Sequence, residues 1–133
     1  MIKESNRIFK RGQVWLINLG SVETKRGSIQ YGVRPCLIIS NDKNNLYSSN
    51  LTIIPISSAS TKIRKMLPTH TLITPHNSNI KMDSIIMAEQ ISVISKEQAI
   101  ENLFELDEDI LLQVSYTIAV QVGLLQSMPA QIN

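Results

Sequence analysis

The chain has 133 residues, 43% of them hydrophobic and 18% charged. That suffices for one packed domain, expected over residues 1–133 with a core from about 9 to 125, and excludes a disordered chain. No apolar run nears the ~18 residues of a membrane-spanning helix. A polar start from Met1 to Arg7 with no apolar segment behind it leads us to expect a cytoplasmic protein with no membrane partner. The net charge of +2 hides a split: residues 1–70 hold 11 Lys or Arg against 3 Asp or Glu, and residues 71–133 hold 2 against 8. Such a split points to an anion-binding face built mainly by the first half, with nucleic acid the obvious anion.

In chain order, Gln13 to Asn18 is a short β-prone run. Gly20 to Gly32 is polar, carries three glycines and reads as a long loop. Pro35 to Ser40 is an almost unbroken apolar run, suited to a strand buried on both faces. Cys36 lies in it and, as the single cysteine, reads as a small core residue rather than a nucleophile. Asn41 to Asn45 reads as a turn. Leu51 to Ile56 is another strand, whose Pro55 belongs at an edge, a bulge or a strand end because it cannot donate to a ladder.

Thr69 to Thr74 alternates weakly, and Asp83 to Ile94 predicts two strands or one bent strand. Ser95-Lys96-Glu97-Gln98 carries a capping box and reads as the start of a short helix. A last helix is predicted from Asp107, its cap, with Leu111, Val114, Ile118, Val122 and Leu125 at helical spacing. Apolar residues on its other faces mean deep burial or an interface. Short strands followed by helices predict a mainly β fold with C-terminal helices, a small barrel or curled sheet.

The chemistry-bearing residues are few. Two histidines, His70 and His76, and one cysteine make no metal-ligand spacing, so no metal and no cofactor are expected. Ser57, His70 and Asp83 compose a triad only on paper, since nothing marks a nucleophile elbow. Arg34, between the glycine-bearing loop and the buried strand, is either a surface arginine or a phosphate-binding group, for which its permanent charge and planar fork suit it.

Five segments decide between these. Arg11-Gly12-Gln13-Val14-Trp15, Tyr31-Gly32-Val33-Arg34-Pro35 running on to Asn41, and Ile54-Pro55-Ile56-Ser57 resemble segments of the MazF/PemK family of toxin endoribonucleases. Leu67-Pro68-Thr69-His70 and Asp83 to Ile91 follow in family order and at near-family spacing.

The resemblance covers about residues 9–123 and implies a compact SH3-like β-barrel of the MazF/PemK/CcdB type. It further implies a homodimer, a single-stranded RNA substrate, an inhibitory cognate antitoxin and cleavage without a metal. The expected reaction leaves a 2′,3′-cyclic phosphate and a 5′-hydroxyl. Arg34 matches the family's catalytic arginine, and Ser57 stands where the family has threonine, keeping the hydroxyl but losing the methyl that restricts χ1. Ile29 replaces an acidic loop residue, and the loop is a few residues longer. Lys25, Arg26, Gln30, Tyr31, Lys62, Arg64, Lys65, His70, Glu89 and Gln90 are the expected RNA contacts, with Tyr31 stacking on a base. Other readings of the same fold are a catalytically inactive module, a toxin that binds gyrase, or a generic nucleic-acid-binding barrel.

Overall fold

The computed structural model describes residues 7–21, 23, 27–59 and 65–126. Seven strands form one antiparallel sheet: β1 (Gln13–Asn18), β2 (Val33–Ile38), β3 (Asn50–Ser58), β4 (His70–Ile73), β5 (Ser84–Met87), β6 (Ser92–Ser95) and β7 (Ala99–Glu105). The order is β4-β5-β3-β2-β1-β7, with β6 also paired to β3. The path curls without closing, since among the described residues no ladder joins β4 to β7. The mainly β class with C-terminal helical structure expected from the sequence holds, in the form of a curled sheet that does not close among the described residues.

The bend originates in β3. Its first half pairs with β6 from Asn50↔Ser95 to Ile53↔Ser92. Its last residues pair with β5 from Ile56↔Ile86 to Ser58↔Ser84. Between the two ladders the register slips by three residues, the length of a 3-10 turn, η1 (Ala88–Gln90), inserted between β5 and β6. Pro55 lies at this break and has no N–H to offer either neighbour, which resolves the strand-end or bulge expected there.

Both faces of the central strands are covered, and this explains the unbroken apolar runs. On one face Val14, Leu37, Ile54, Ile56, Ile73 and Ile86 pack with Ile110 and Val114 of the C-terminal helix. On the other, Trp15, Ile17, Cys36, Ile38, Leu51 and Ile53 pack with Phe9 and Ile94. Cys36 is fully buried, and burial pushes its thiol up to about 12.

Three local expectations change. The Asn41–Asn45 segment opens a short helix, α1 (Asp42–Tyr47), because the Asn41 side chain caps it by accepting from Asn44 N–H. Asn45 is buried with its amide bonded to the Ser40 carbonyl at 2.8 Å. The predicted helix at Ser95 is one 3-10 turn, η2 (Lys96–Gln98), with its capping box complete, and the chain then runs straight into β7. β7 has no counterpart among the predicted elements: it is an acidic edge strand, mostly exposed, whose pairing with β1 is long-range.

The last helix, α2 (Glu108–Gln121), begins where expected, but Asp107 makes no side-chain cap bond. Of the expected stripe, Val114 is fully buried and Leu111 and Ile118 pack against the core, with Ile110 and Thr117 buried beside them, while Val122 is exposed. The seat fixes which face turns inward. Leu106 N–H donates to the Gly12 carbonyl at 2.9 Å, and Arg11 Nη2 donates to Ser115 Oγ at 2.9 Å. Leu112 and Leu124 therefore remain in solvent.

Gly12 sits at this junction with φ +98°, and a Cβ there would meet Leu111 Cδ1 at 2.8 Å. Gly12→Ala is expected to cost about 1–3 kcal/mol, read as a fall of several degrees in the melting midpoint. Cys36 supplies a second check. Thiol reagents at pH 8 leave the folded protein unmodified and label it only after denaturation; rapid labelling of the native protein would contradict a buried thiol.

Candidate active site

Arg34 is the second residue of β2, paired across the ladder with Ile17. The loop before it is closed at its stem by Leu19 N–H to the Gly32 carbonyl at 2.8 Å and Gly32 N–H to the Gly20 carbonyl at 2.6 Å. Gly32 has φ +83°, a backbone region that L side chains rarely adopt, so the turn into β2 requires glycine. Arg34 Nε then donates to the Tyr31 carbonyl at 2.6 Å, and the guanidinium carbon lies 5.9 Å from the Tyr31 ring centroid. With Nε engaged, the edge of the guanidinium left for a ligand is the one bearing the two terminal nitrogens.

Ser57 comes from β3. The β2–β3 ladder pairs Cys36 with Pro55, and the same register carried two residues further sets Arg34 opposite Ser57. Both side chains belong to the same face by strand alternation. Ser57 is 8% exposed and pairs across the other side of β3 with Ile85. Arg34 is one of the residues around an open recess of about 510 Å³ lined also by Ile56, Phe104, Met82 and Lys81; Ile56 belongs to the opposite face of β3 from Ser57, so this recess opens on the other side of the sheet from the Ser57 side chain. Phe104 comes from β7 and Lys81 from the β4–β5 loop; neither stood among the expected site residues, because no local signal links them to Arg34.

A second recess, about 440 Å³, gathers Gln30, Lys65, His70, Glu89 and Gln90. Its centre is the η1 turn, which the register slip on β3 pushes out of the sheet. Thr69 Oγ1 donates to Glu89 Oε1 at 2.7 Å, and His70 Nε2 meets Glu89 Oε2 at 2.8 Å. Leu67 N–H donates to His70 Nδ1 at 3.1 Å, so this network assigns the ring proton to Nε2. His70, with a side chain 7% exposed, thus has both nitrogens occupied inside the protein. Partial burial raises the Glu89 carboxyl, but its hydrogen bonds to His70, Thr69 and backbone outweigh this and hold it below the usual glutamate value.

Gln90 turns toward the loop: its Oε1 accepts from Gln30 N–H at 3.1 Å, and its Nε2 donates to the Ser28 carbonyl at 3.2 Å. Tyr31 packs by Arg34 and does not line the second recess. Lys65 is exposed and free to move on its long stem. Lys25, Arg26, Lys62 and Arg64 lie outside the described residues. Thr69 went unnoticed in the sequence because its task, holding Glu89 from 20 residues away, is purely tertiary. Among the described residues no three His, Cys, Asp or Glu side chains come together as a metal-holding group, and no helix is long and apolar enough to cross a membrane.

The lowered Glu89 pKa sets a pH dependence. A carboxylate favoured in the folded state contributes stability above its ordinary value of 4.5 and loses it as pH falls through the folded value. Glu89→Ala is expected to unfold at lower urea, by about 1 kcal/mol at pH 7 given its partial exposure. The gap to wild type narrows between pH 4.5 and pH 3; an equal gap at pH 7 and pH 3 would show that the charge contributes nothing.

The chain is similar to known proteins in sequence and in fold. The model of the PemK-like, MazF-like toxins of type II toxin–antitoxin systems matches residues 10–122. Endoribonuclease MazF of Staphylococcus epidermidis is 34% identical over 117 residues, covering 88% of this chain and 93% of that protein. MazF of Deinococcus radiodurans superposes with a TM-score of 0.72 at 19% identity, covering 89% of this chain and 99% of that one. An endoribonuclease from a mycobacterial species, solved in complex with its cognate antitoxin, gives a TM-score of 0.71 at 22% identity over 91% of this chain and 99% of its own. With the match running from before β1 to past α2 and the curated relative above 30% identity, the chain belongs to the PemK-like, MazF-like toxin family of type II toxin–antitoxin systems.

Proposed function

We propose that this endoribonuclease toxin cuts single-stranded RNA without a metal, using Arg34 and Ser57. The 2′-hydroxyl oxygen of the RNA attacks the adjacent phosphorus. The bond to the 5′-oxygen breaks, leaving a 2′,3′-cyclic phosphate and, after the leaving oxygen takes up a proton, a 5′-hydroxyl. The nucleophile belongs to the substrate, so the protein has to orient the chain, stabilise charge on the phosphoryl oxygens and assist two proton movements.

Arg34 suits the electrostatic part. It stays protonated at any working pH, and its two terminal nitrogens form a fork matched to two phosphoryl oxygens. Ser57, across the sheet register from it, offers a hydroxyl to the same phosphate or to the leaving oxygen. What supports this reading most is that register, together with the carbonyl of Tyr31 fixing the guanidinium from behind. Lys65 and the basic residues of the first half are suited to backbone phosphates. Tyr31 is suited to stacking on a base. A homodimer, with a cognate antitoxin that covers the basic groove, completes the reading. The antitoxin bound to the mycobacterial relative supports the antitoxin partner. Apolar residues left in solvent on α2, Leu112 among them, support an assembly larger than the single chain.

The test is cleavage of a long unstructured RNA in EDTA, with the ends mapped chemically. Discrete cuts bearing cyclic phosphate are expected. Arg34→Ala is expected to lose about 10²–10³-fold in rate, the usual cost of removing a group that stabilises transition-state charge. Ser57→Ala loses about 3–10-fold, the range of one neutral hydrogen bond, and Ser57→Thr retains activity. RNA left intact by the folded wild type, or cuts unaffected by Arg34→Ala, would overturn the assignment.

A further inference from the structure

We infer that Gln90 is a positioning residue that acts through the loop on Arg34; this rests on the reading of Arg34 as the phosphate-holding group. The carboxamide of Gln90 accepts from Gln30 N–H and donates to the Ser28 carbonyl, at 3.1 and 3.2 Å. These two groups flank Ile29, so the amide grips the loop as a neighbouring strand would grip a sheet edge. The grip is on backbone only. It is therefore indifferent to loop side chains and holds the segment although Ile29 itself is 57% exposed.

The anchor behind Gln90 is firm. η1 is tied to the start of β4 by Ala88 N–H to the Thr69 carbonyl at 3.0 Å and by the bonds from Thr69 and His70 to Glu89. One residue beyond the gripped segment stands Tyr31, whose carbonyl takes the Arg34 Nε–H at 2.6 Å. The stem of the loop is pinned separately at Gly32. Residues 28–31 thus span two fixed points, η1 on one side and the β2 stem on the other. Releasing the η1 side lets the Tyr31 carbonyl wander and takes the guanidinium with it. A base contact, the natural expectation for an amide near an RNA groove, is confined to the second N–H and the second lone pair of Gln90 while both bonds stand.

The test uses Gln90→Met, close in shape but unable to make either bond, and Gln90→Glu, which keeps the acceptor for Gln30 N–H and sets a carboxylate against the Ser28 carbonyl. Turnover is measured on a panel of short RNAs that differ by single bases around the mapped cut. Both variants are expected to lower kcat roughly tenfold, the scale of two neutral hydrogen bonds, with KM altered less than twofold and the same factor for every RNA. In an Arg34→Lys background, where the contact to Tyr31 is already gone, Gln90→Met should cost little more.

A readout independent of activity is hydrogen exchange at Arg34 Nε–H followed by NMR, which should quicken in Gln90→Met. A changed base preference would make Gln90 a reader of sequence and overturn the inference. So would unchanged kcat, full additivity with Arg34→Lys, or an Nε–H that exchanges as in wild type. If the wild type leaves RNA intact, the exchange measurement still decides the positioning role, while the nuclease reading fails by itself.

Discussion

The structure depends on how β3 fills its hydrogen bonds. It is a nine-residue strand with β2 on one side and, on the other, first β6 and then β5. Pro55 interrupts the donor pattern at the middle, and the chain opposite answers by looping three residues out of the sheet as η1. Backbone groups buried in a sheet have to be paired. The interruption is tolerated because the 3-10 turn satisfies its own ends: Ile91 N–H returns to the Ala88 carbonyl at 3.1 Å and Ala88 N–H reaches the Thr69 carbonyl.

That local repair is what produces the site. Without the outward turn, Glu89 and Gln90 would alternate in and out of a flat strand. With it, both leave the sheet on the same side as the β1–β2 loop. Glu89 turns back to Thr69 and His70 and locks the turn, while Gln90 reaches forward to the loop before Arg34. Arg34 and Ser57 need no such device. They sit near the ends of two adjacent strands, β2 and β3, and strand ends are rigid places for side chains.

Much of this was legible in the residues. β1 has the bounds that its β-prone run suggested, and the apolar run of β2 spoke for burial on both faces. The capping box at Ser95 and Gln98 formed as written, although it closes one 3-10 turn only. Patterns failed where the deciding partner is distant. β7 is acidic and mostly exposed, so nothing in it announces a strand until β1 is there to pair with it. α2 is apolar around much of its circumference, so its periodicity admits more than one inward face. The Gly12 and Arg11 contacts seat it with Ile110, Val114 and Thr117 innermost and Leu111 and Ile118 packed beside them.

The sequence alone determined the chemical character of the candidate residues: the permanent charge of Arg34, the hydroxyl of Ser57, the conformational freedom of Gly32 and the absence of a proline N–H at position 55. These are covalent properties, and no fold alters them. Only the tertiary structure decided which of them meet. It set Arg34 and Ser57 near the ends of adjacent strands, buried the His70 side chain with both nitrogens occupied, and turned the amide of Gln90 onto the loop backbone. The physical reason is that the bonds from His70 to Glu89 and from Gln90 to the loop join residues 19 or more positions apart along the chain. Their geometry follows from ladder register and from the three-residue slip on β3, neither of which any local pattern encodes.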